Sequence, residues 1–158
     1  MHVLSYKGLG NMALGVKEFS GEFFQSDAPI DPNLMAPLSW VAGADTTLSI
    51  AGGRARATIG AGSNPRIWKQ VAGLTNGATY KLNGRMYVGT CSTVRLRITP
   101  DTGLPNGSIY ELIDSVDHLF TEQTFVMSGT AMFIGIVGIS GAAGQYVEID
   151  DNFSLTLV

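Results

Sequence analysis

The stretch Tyr146-Val-Glu-Ile-Asp-Asp-Asn-Phe-Ser-Leu-Thr-Leu-Val158 decides the fold. Val147, Ile149, Phe153, Leu155 and Leu157 alternate with Glu148, Asp150, Asn152, Ser154 and Thr156. A period of two sends successive side chains to opposite faces, so this is a strand with one buried side. Asp151 falls on the apolar side. A carboxylate there must be paired, carried out of line by a bulge, or bound to a metal.

The same alternation recurs upstream. Thr93–Thr99 turns Val94, Leu96 and Ile98 inward and Arg95 and Arg97 outward. Arg54, Arg56 and Thr58 share one face of a strand that follows the Gly52-Gly53 turn. Leu38–Val41 and Thr46–Ile50 flank a turn at Gly43-Ala-Asp45. In Ile67–Ala72, Ile67 and Val71 can fill an inner face and leave Trp68 and Gln70 on the other. A turn at Leu74-Thr-Asn-Gly77 precedes Thr79–Val88, where Gly84 signals a bulge or a close backbone approach. Gln123–Ser128 reads as a further strand, and Asp101-Thr-Gly-Leu-Pro-Asn-Gly107 as a loop.

Two segments break the simple pattern. Thr130–Ser140 is apolar on both sides: Met132, Ile134 and Ile136 on one, Phe133, Val137 and Ile139 on the other. Both faces need a cover. Over 109–120, Ile109, Leu112, Ile113, Val116, Leu119 and Phe120 fit a helical face, so a short helical crossover is expected, although Ile109–Ile113 could begin as a strand. About nine short strands in one domain predict an all-β protein, a jelly-roll β-sandwich over 38–158. Residues 1–37 hold no sustained period and read as an extended N-terminal arm with apolar anchors, among them Phe19, Phe23 and Phe24.

The chain has 158 residues, 45% hydrophobic and 15% charged, which suits one ordered domain with a real core. Cys91 is the single cysteine, so there is no internal disulfide, and it reads as a small buried residue. At the start, Met-His-Val-Leu-Ser-Tyr-Lys, no basic segment precedes an apolar run, so no signal peptide and synthesis in a cytoplasm are expected. The apolar run Ala131–Gly138 is too short to span a bilayer, so no membrane role is expected.

The net charge of -3 conceals an asymmetry. Arg54, Arg56, Arg66, Lys69, Lys81, Arg85, Arg95 and Arg97 stand between Thr46 and Pro100 with no acid among them. From Asp101 onward come Asp101, Glu111, Asp114, Asp117, Glu122, Glu148, Asp150 and Asp151 with no Lys or Arg. Basic and acidic strands can face one another inside one sandwich, or a basic patch can meet an acidic one on a neighbouring copy. Nucleic-acid binding is not expected, because no motif supports it and the total charge is acidic.

Several segments together resemble the jelly-roll sandwich of family 4/9 carbohydrate-binding modules and their phage relatives. They are Leu38-Ser-Trp-Val-Ala-Gly43 with its early Trp, Gln70 ahead of Leu74-Thr-Asn-Gly-Ala-Thr-Tyr80, and the closing Ile149-Asp-Asp-Asn-Phe-Ser-Leu155. The resemblance spans about Leu38 to Val158. It implies a non-catalytic sandwich that often holds a structural calcium near its final strand. Glu148, Asp150 and Asp151 could supply hard oxygen ligands for such an ion; otherwise no cofactor is expected. The alternative for these acids is hydrogen bonding to nearby groups.

No catalytic residues emerge. His2 and His118 lack a neighbouring nucleophile motif, and Gly52-Gly53 and Gly141–Gly144 lack the Lys-Ser/Thr of a phosphate loop. The pairs Asp114/Asp117 and Asp150/Asp151 could be acid/base carboxylates, but acids at loops and strand edges are usually solvated. Sugar binding would need flat aromatic platforms: Trp68, Tyr87, Tyr110 and Tyr146 are the candidates, Trp68 foremost, while Trp40 reads as core.

The main expectation is a phage virion protein located in the assembled particle, a decoration or cement protein bound to a major capsid or other virion protein. Phe19, Phe23 and Phe24 would clamp neighbours. Phe133, Val137 and Ile139 with Arg95 and Arg97 would supply homo-oligomer contacts. The alternative is a carbohydrate- or receptor-binding module of a tail or fibre, with a glycan as its partner.

Overall fold

The computed structural model describes residues 40–62, 64–100, 108–139 and 142–158. The proposed arm, with Phe19, Phe23 and Phe24, lies outside the described residues, as does the proposed loop 101–107.

The described residues form eleven strands in order: β1 (Val41–Ala42), β2 (Thr46–Ala51), β3 (Arg54–Ile59), β4 (Arg66–Ala72), β5 (Thr79–Tyr87), β6 (Thr93–Thr99), β7 (Tyr110–Asp114), β8 (His118–Val126), β9 (Ala131–Ile139), β10 (Tyr146–Asp150) and β11 (Ser154–Leu157). They form two sheets. One has the order β1-β4-β9-β6-β7. In the other, β11 and β10 lie end to end along one side of β5, β3 and β2 follow beyond β10, and β8 takes the other side of β5. Every pairing is antiparallel, which leaves each sheet with one inner and one outer face.

The inner faces meet in one core. The five-stranded sheet contributes Ile67, Val71, Val94, Leu96, Ile98, Met132, Ile134 and Ile136. The six-stranded sheet contributes Ala55, Ala57, Tyr80, Leu82, Met86, Phe120, Val147, Ile149 and Leu155. Trp40 packs edge-on against Phe153 at 6.1 Å between ring centroids. Cys91 is a buried free thiol.

The expected crossover over 109–120 is present, but it is built of strands and a turn rather than a helix. The segment is β7, a turn at Ser115–Asp117, then the start of β8, and it carries the chain from one sheet to the other. The Asp114 carboxylate accepts the Ser115 and Val116 amides at 2.8 and 3.2 Å and so builds the turn. Tyr110 and Leu112 pair with Ile98 and Leu96 at the edge of the five-stranded sheet, while His118–Phe120 pair with Gly84–Met86 of the other sheet, so the strand, turn and strand are themselves the crossover.

Gly84 fulfils both expectations at once. The β5–β8 register shifts between Leu82 and Gly84. A Cβ on Gly84 would stand 2.8 Å from the Phe120 ring and 2.9 Å from Phe153 Cβ. Opposite it lies an irregularity in the closing strand. Asn83 pairs with Ser154 and Met86 with Ile149, so Gly84 and Arg85 face the whole of Asp150–Phe153. The bulge keeps Phe153 and Leu155 inside and still lets Asp151 turn away from the ladder.

Candidate functional site

Asp151 is paired across the sandwich. Lys69, on the inner face of β4 with Ile67 and Val71, is only 4% exposed. Its ammonium donates to Asp151 Oδ1 at 2.9 Å and to the Asp151 carbonyl at 3.0 Å. Trp40 Nε1 donates to the same carboxylate oxygen at 2.6 Å, and the ammonium stands 4.9 Å from the centre of the Trp40 ring. Burial works to raise the Asp151 pKa, but the Lys69 and Trp40 hydrogen bonds outweigh it and hold the carboxyl below its usual range. The pairing ties the closing strand to the opposite sheet.

The acids named as calcium ligands do not converge. Glu148 is held by Arg54 and Arg56, Asp150 accepts from Tyr87, and Asp151 is engaged by Lys69 and Trp40. Among the described residues no three His, Cys, Asp or Glu side chains stand together in a way that could hold a metal ion.

The outer face of the six-stranded sheet gathers the most chemistry. Strand register sets it out in rows. Ser49, Arg56, Glu148 and Tyr87 form one row across β2, β3, β10 and β5. Ala51, Arg54 and Asp150 form the next; Thr47, Thr58 and Tyr146 lie on the other side. Cross-strand neighbours sit about 4.5–5.5 Å apart, so these side chains must interact.

Arg56 grips Glu148 Oε1 through Nε and Nη2, both at 2.8 Å, and Arg54 Nη1 donates to Oε2 at 3.3 Å. The Arg54 guanidinium lies 3.8 Å over the Tyr87 ring, and that of Arg56 lies 3.9 Å over Tyr146. The Tyr87 hydroxyl donates to Asp150 Oδ1 at 3.0 Å. Burial and this bond to Asp150 push the Tyr87 phenol above its usual value. Gly89, with φ of 58°, lets the backbone close against Tyr146, whose carbonyl and ring would meet any Cβ there. Beside the rows is a depression of about 440 Å³ lined by Ser49, Ala51, Gly52, Arg54, Arg56 and Glu148.

Of the four aromatic candidates, the structure brings together Tyr87 and Tyr146. Trp68 is on the outer face of the other sheet and only 9% exposed, packed with Val137, Phe133 and Ile139. It is not an open platform. Tyr110 packs against the core, and its hydroxyl donates to Gln123 Oε1 at 2.6 Å. That bond bridges the two sheets at the β7–β8 corner, and burial raises the phenol pKa. Arg95 and Arg97 do point outward, and both reach Glu111 on β7, Arg97 at 2.6 Å and Arg95 at 3.8 Å.

The acid pairs do not form a catalytic couple. Asp114 is bonded to His118 Nδ1 at 2.7 Å, which, with the Val116 and Ser115 amides, holds its carboxyl below the usual range. Asp117 accepts the Val88 amide. Asp150 and Asp151 have partners on opposite sides of the strand.

Reading the sequence for sites missed Lys69, Arg54 and Arg56. The signal for Lys69 was its parity with Ile67 and Val71, which places a cation on an apolar face just as Asp151 places an anion. Arg54 and Arg56 were assigned to one face, but the sequence does not say which strands lie beside it.

No protein-family model matches the chain, and no curated protein matches it. Solved structures do. The N-terminal cellulose-binding domain of Cellulomonas fimi β-1,4-glucanase C is similar with a TM-score of 0.54 and 22% identity, over 76% of this chain and 89% of that one. A CBM4 structure is similar with a TM-score of 0.51 and 15% identity, over 85% and 97%. A low-affinity xylan-binding module, CBM86, from Roseburia intestinalis gives 0.50 and 12%, over 83% and 93%. At such identities the likeness is one of fold: this chain has the jelly-roll β-sandwich of carbohydrate-binding modules.

Proposed function

We propose that the chain is a non-catalytic glycan-binding module, with its site on the outer face of the six-stranded sheet. The observation that carries this reading is the row Ser49–Arg56–Glu148–Tyr87, whose Ser49, Arg56 and Glu148 line a depression of about 440 Å³ and whose Tyr87, with Tyr146 in the neighbouring row, carries the arginines that border it. A sugar presents hydroxyls at its rim and C–H bonds on its faces. In-plane donors and acceptors such as Arg56, Glu148 and Asp150 suit the rim. The planar guanidiniums of Arg54 and Arg56, held flat by Tyr87 and Tyr146 beneath them, suit the faces. The volume falls within the range usual for small-molecule sites, roughly 300–1,000 Å³. The fold shared with carbohydrate-binding modules supports the same reading, as analogy.

A glycan array with the purified protein tests it. Selective binding is expected, lost in Tyr87→Ala and Tyr146→Ala and kept in Trp68→Phe. Binding that survives both tyrosine variants would move the site elsewhere. The shell-decorating role expected at first gains no support from the fold neighbours, and Phe19, Phe23 and Phe24, which would carry it, lie outside the described residues.

A further inference from the structure

The charges on the proposed face do not cancel. Glu148 is one carboxylate shared by two guanidiniums, 2.8 and 3.3 Å away. Asp150, opposite Arg54 in the ladder, supplies a second negative charge. Tyr87 carries a second cation, Arg85, 5.4 Å from its ring centre, and among the described residues Arg85 forms no ion pair. The Tyr87 hydroxyl and the Val88 amide are neutral donors, so Asp150 and Asp117 keep their charges; within the rows themselves Arg54, Arg56 and Arg85 stand against Glu148 and Asp150, and one positive charge remains.

The arginines also keep donors to spare. A guanidinium has five N–H groups. Glu148 takes two from Arg56 and one from Arg54. The two side chains are 42% and 45% exposed, so the unused N–H groups can reach a ligand. Both guanidiniums are fixed twice, by a ring beneath and a carboxylate beside. Such preorganised forks match an oxyanion with two acceptor oxygens better than scattered hydroxyls.

We infer that the preferred ligand is an acidic glycan, one whose sugar rings carry a carboxylate or a sulfate. The inference rests on the glycan-binding reading above. The oxyanion binds the free edges of Arg54 and Arg56 beside Glu148, and Arg85 adds long-range attraction.

Titration calorimetry with three oligosaccharide sets of matched length tests it: neutral, uronate-containing and sulfated. At least one acidic set is expected to bind about tenfold or more tightly than the neutral one, with an affinity that falls as salt rises. Uronate preference points to a planar carboxylate and sulfate preference to a tetrahedral anion; either supports the inference. Arg56→Gln should abolish the preference, and Glu148→Gln should strengthen acidic binding by releasing both arginines. A purely structural Glu148 would give no gain. The salt dependence of the unaltered protein needs no variant, so a misfolded variant does not blunt the test. Neutral sugars bound as well as acidic ones overturn this inference and leave the module reading standing. No binding to any of the three sets, or to a broad array, overturns both.

Discussion

Lys69 and Asp151 show how one pair of residues can lock two sheets. Each is an odd charge on an otherwise apolar face, and the two faces meet. The Lys69 side chain is 5% exposed, whereas the Asp151 side chain keeps 33% of its surface. The consequences of substitution are therefore unequal. Asp151→Ala strands a buried cation and should cost about 2–4 kcal/mol, the low end reflecting the remaining carbonyl contact. Lys69→Met removes the buried charge, leaves the carboxylate partly solvated with Trp40, and should cost about half as much or less. Urea denaturation of the two variants checks the order. The pH dependence has a definite sign. The folded pKa of Asp151 is lowered, so its stabilising share is present above the unfolded value, about 3.9, and is lost as pH falls through the folded value. Asp151→Asn should flatten the acid limb of the stability profile below about pH 4, measured by denaturation at successive pH values.

At the scale of elements, the closing strand and the 109–120 crossover differ in how much they disclose. In the closing strand the odd-numbered residues stay on one side through the bulge, so alternation alone located Phe153 and Leu155 correctly. In 109–120 the apolar spacing imitates a helix because two strands and a turn are read as one element. The cue that was available is Asp114-Ser-Val-Asp117, whose carboxylates bond nearby and distant amides. Gly84 belongs to this scale as well, since it is where β5 yields to bulges on both sides. Gly84→Ala forces Phe120 or Phe153 out of place and should cost about 1–3 kcal/mol by overpacking, read as a lower midpoint in thermal unfolding.

Over the whole molecule, the charge asymmetry of the sequence becomes a set of contacts inside one sandwich. Arg54 and Arg56 meet Glu148, Lys69 meets Asp151, and Arg95 and Arg97 meet Glu111. Each joins the basic middle to the acidic third. This arrangement bears on calcium too. Of the acids near the final strand, Glu148 and Asp151 are paired with the chain's own cations and Asp150 is bonded to Tyr87, so added Ca²⁺ or EDTA should leave the thermal midpoint of the protein unchanged. A clear rise with Ca²⁺ would instead place an ion on Glu148, Asp150 or Asp151. The two outer faces divide the aromatic residues unequally. Trp68, the first choice from sequence, is packed away, while Tyr87 and Tyr146 lie among arginines.

By itself the sequence determined the fold class, the inward and outward sides of most strands, the burial of Trp40 and Cys91, and the Gly84 irregularity. All of these follow from period-two alternation and local backbone freedom, which a short window contains. Only the tertiary structure decided that Lys69 answers Asp151, and that Arg56, Glu148 and Tyr87 share a row. Those residues are 31 to 92 positions apart. Their meeting depends on which strands pair and in what register, a choice made by burying all the apolar faces at once.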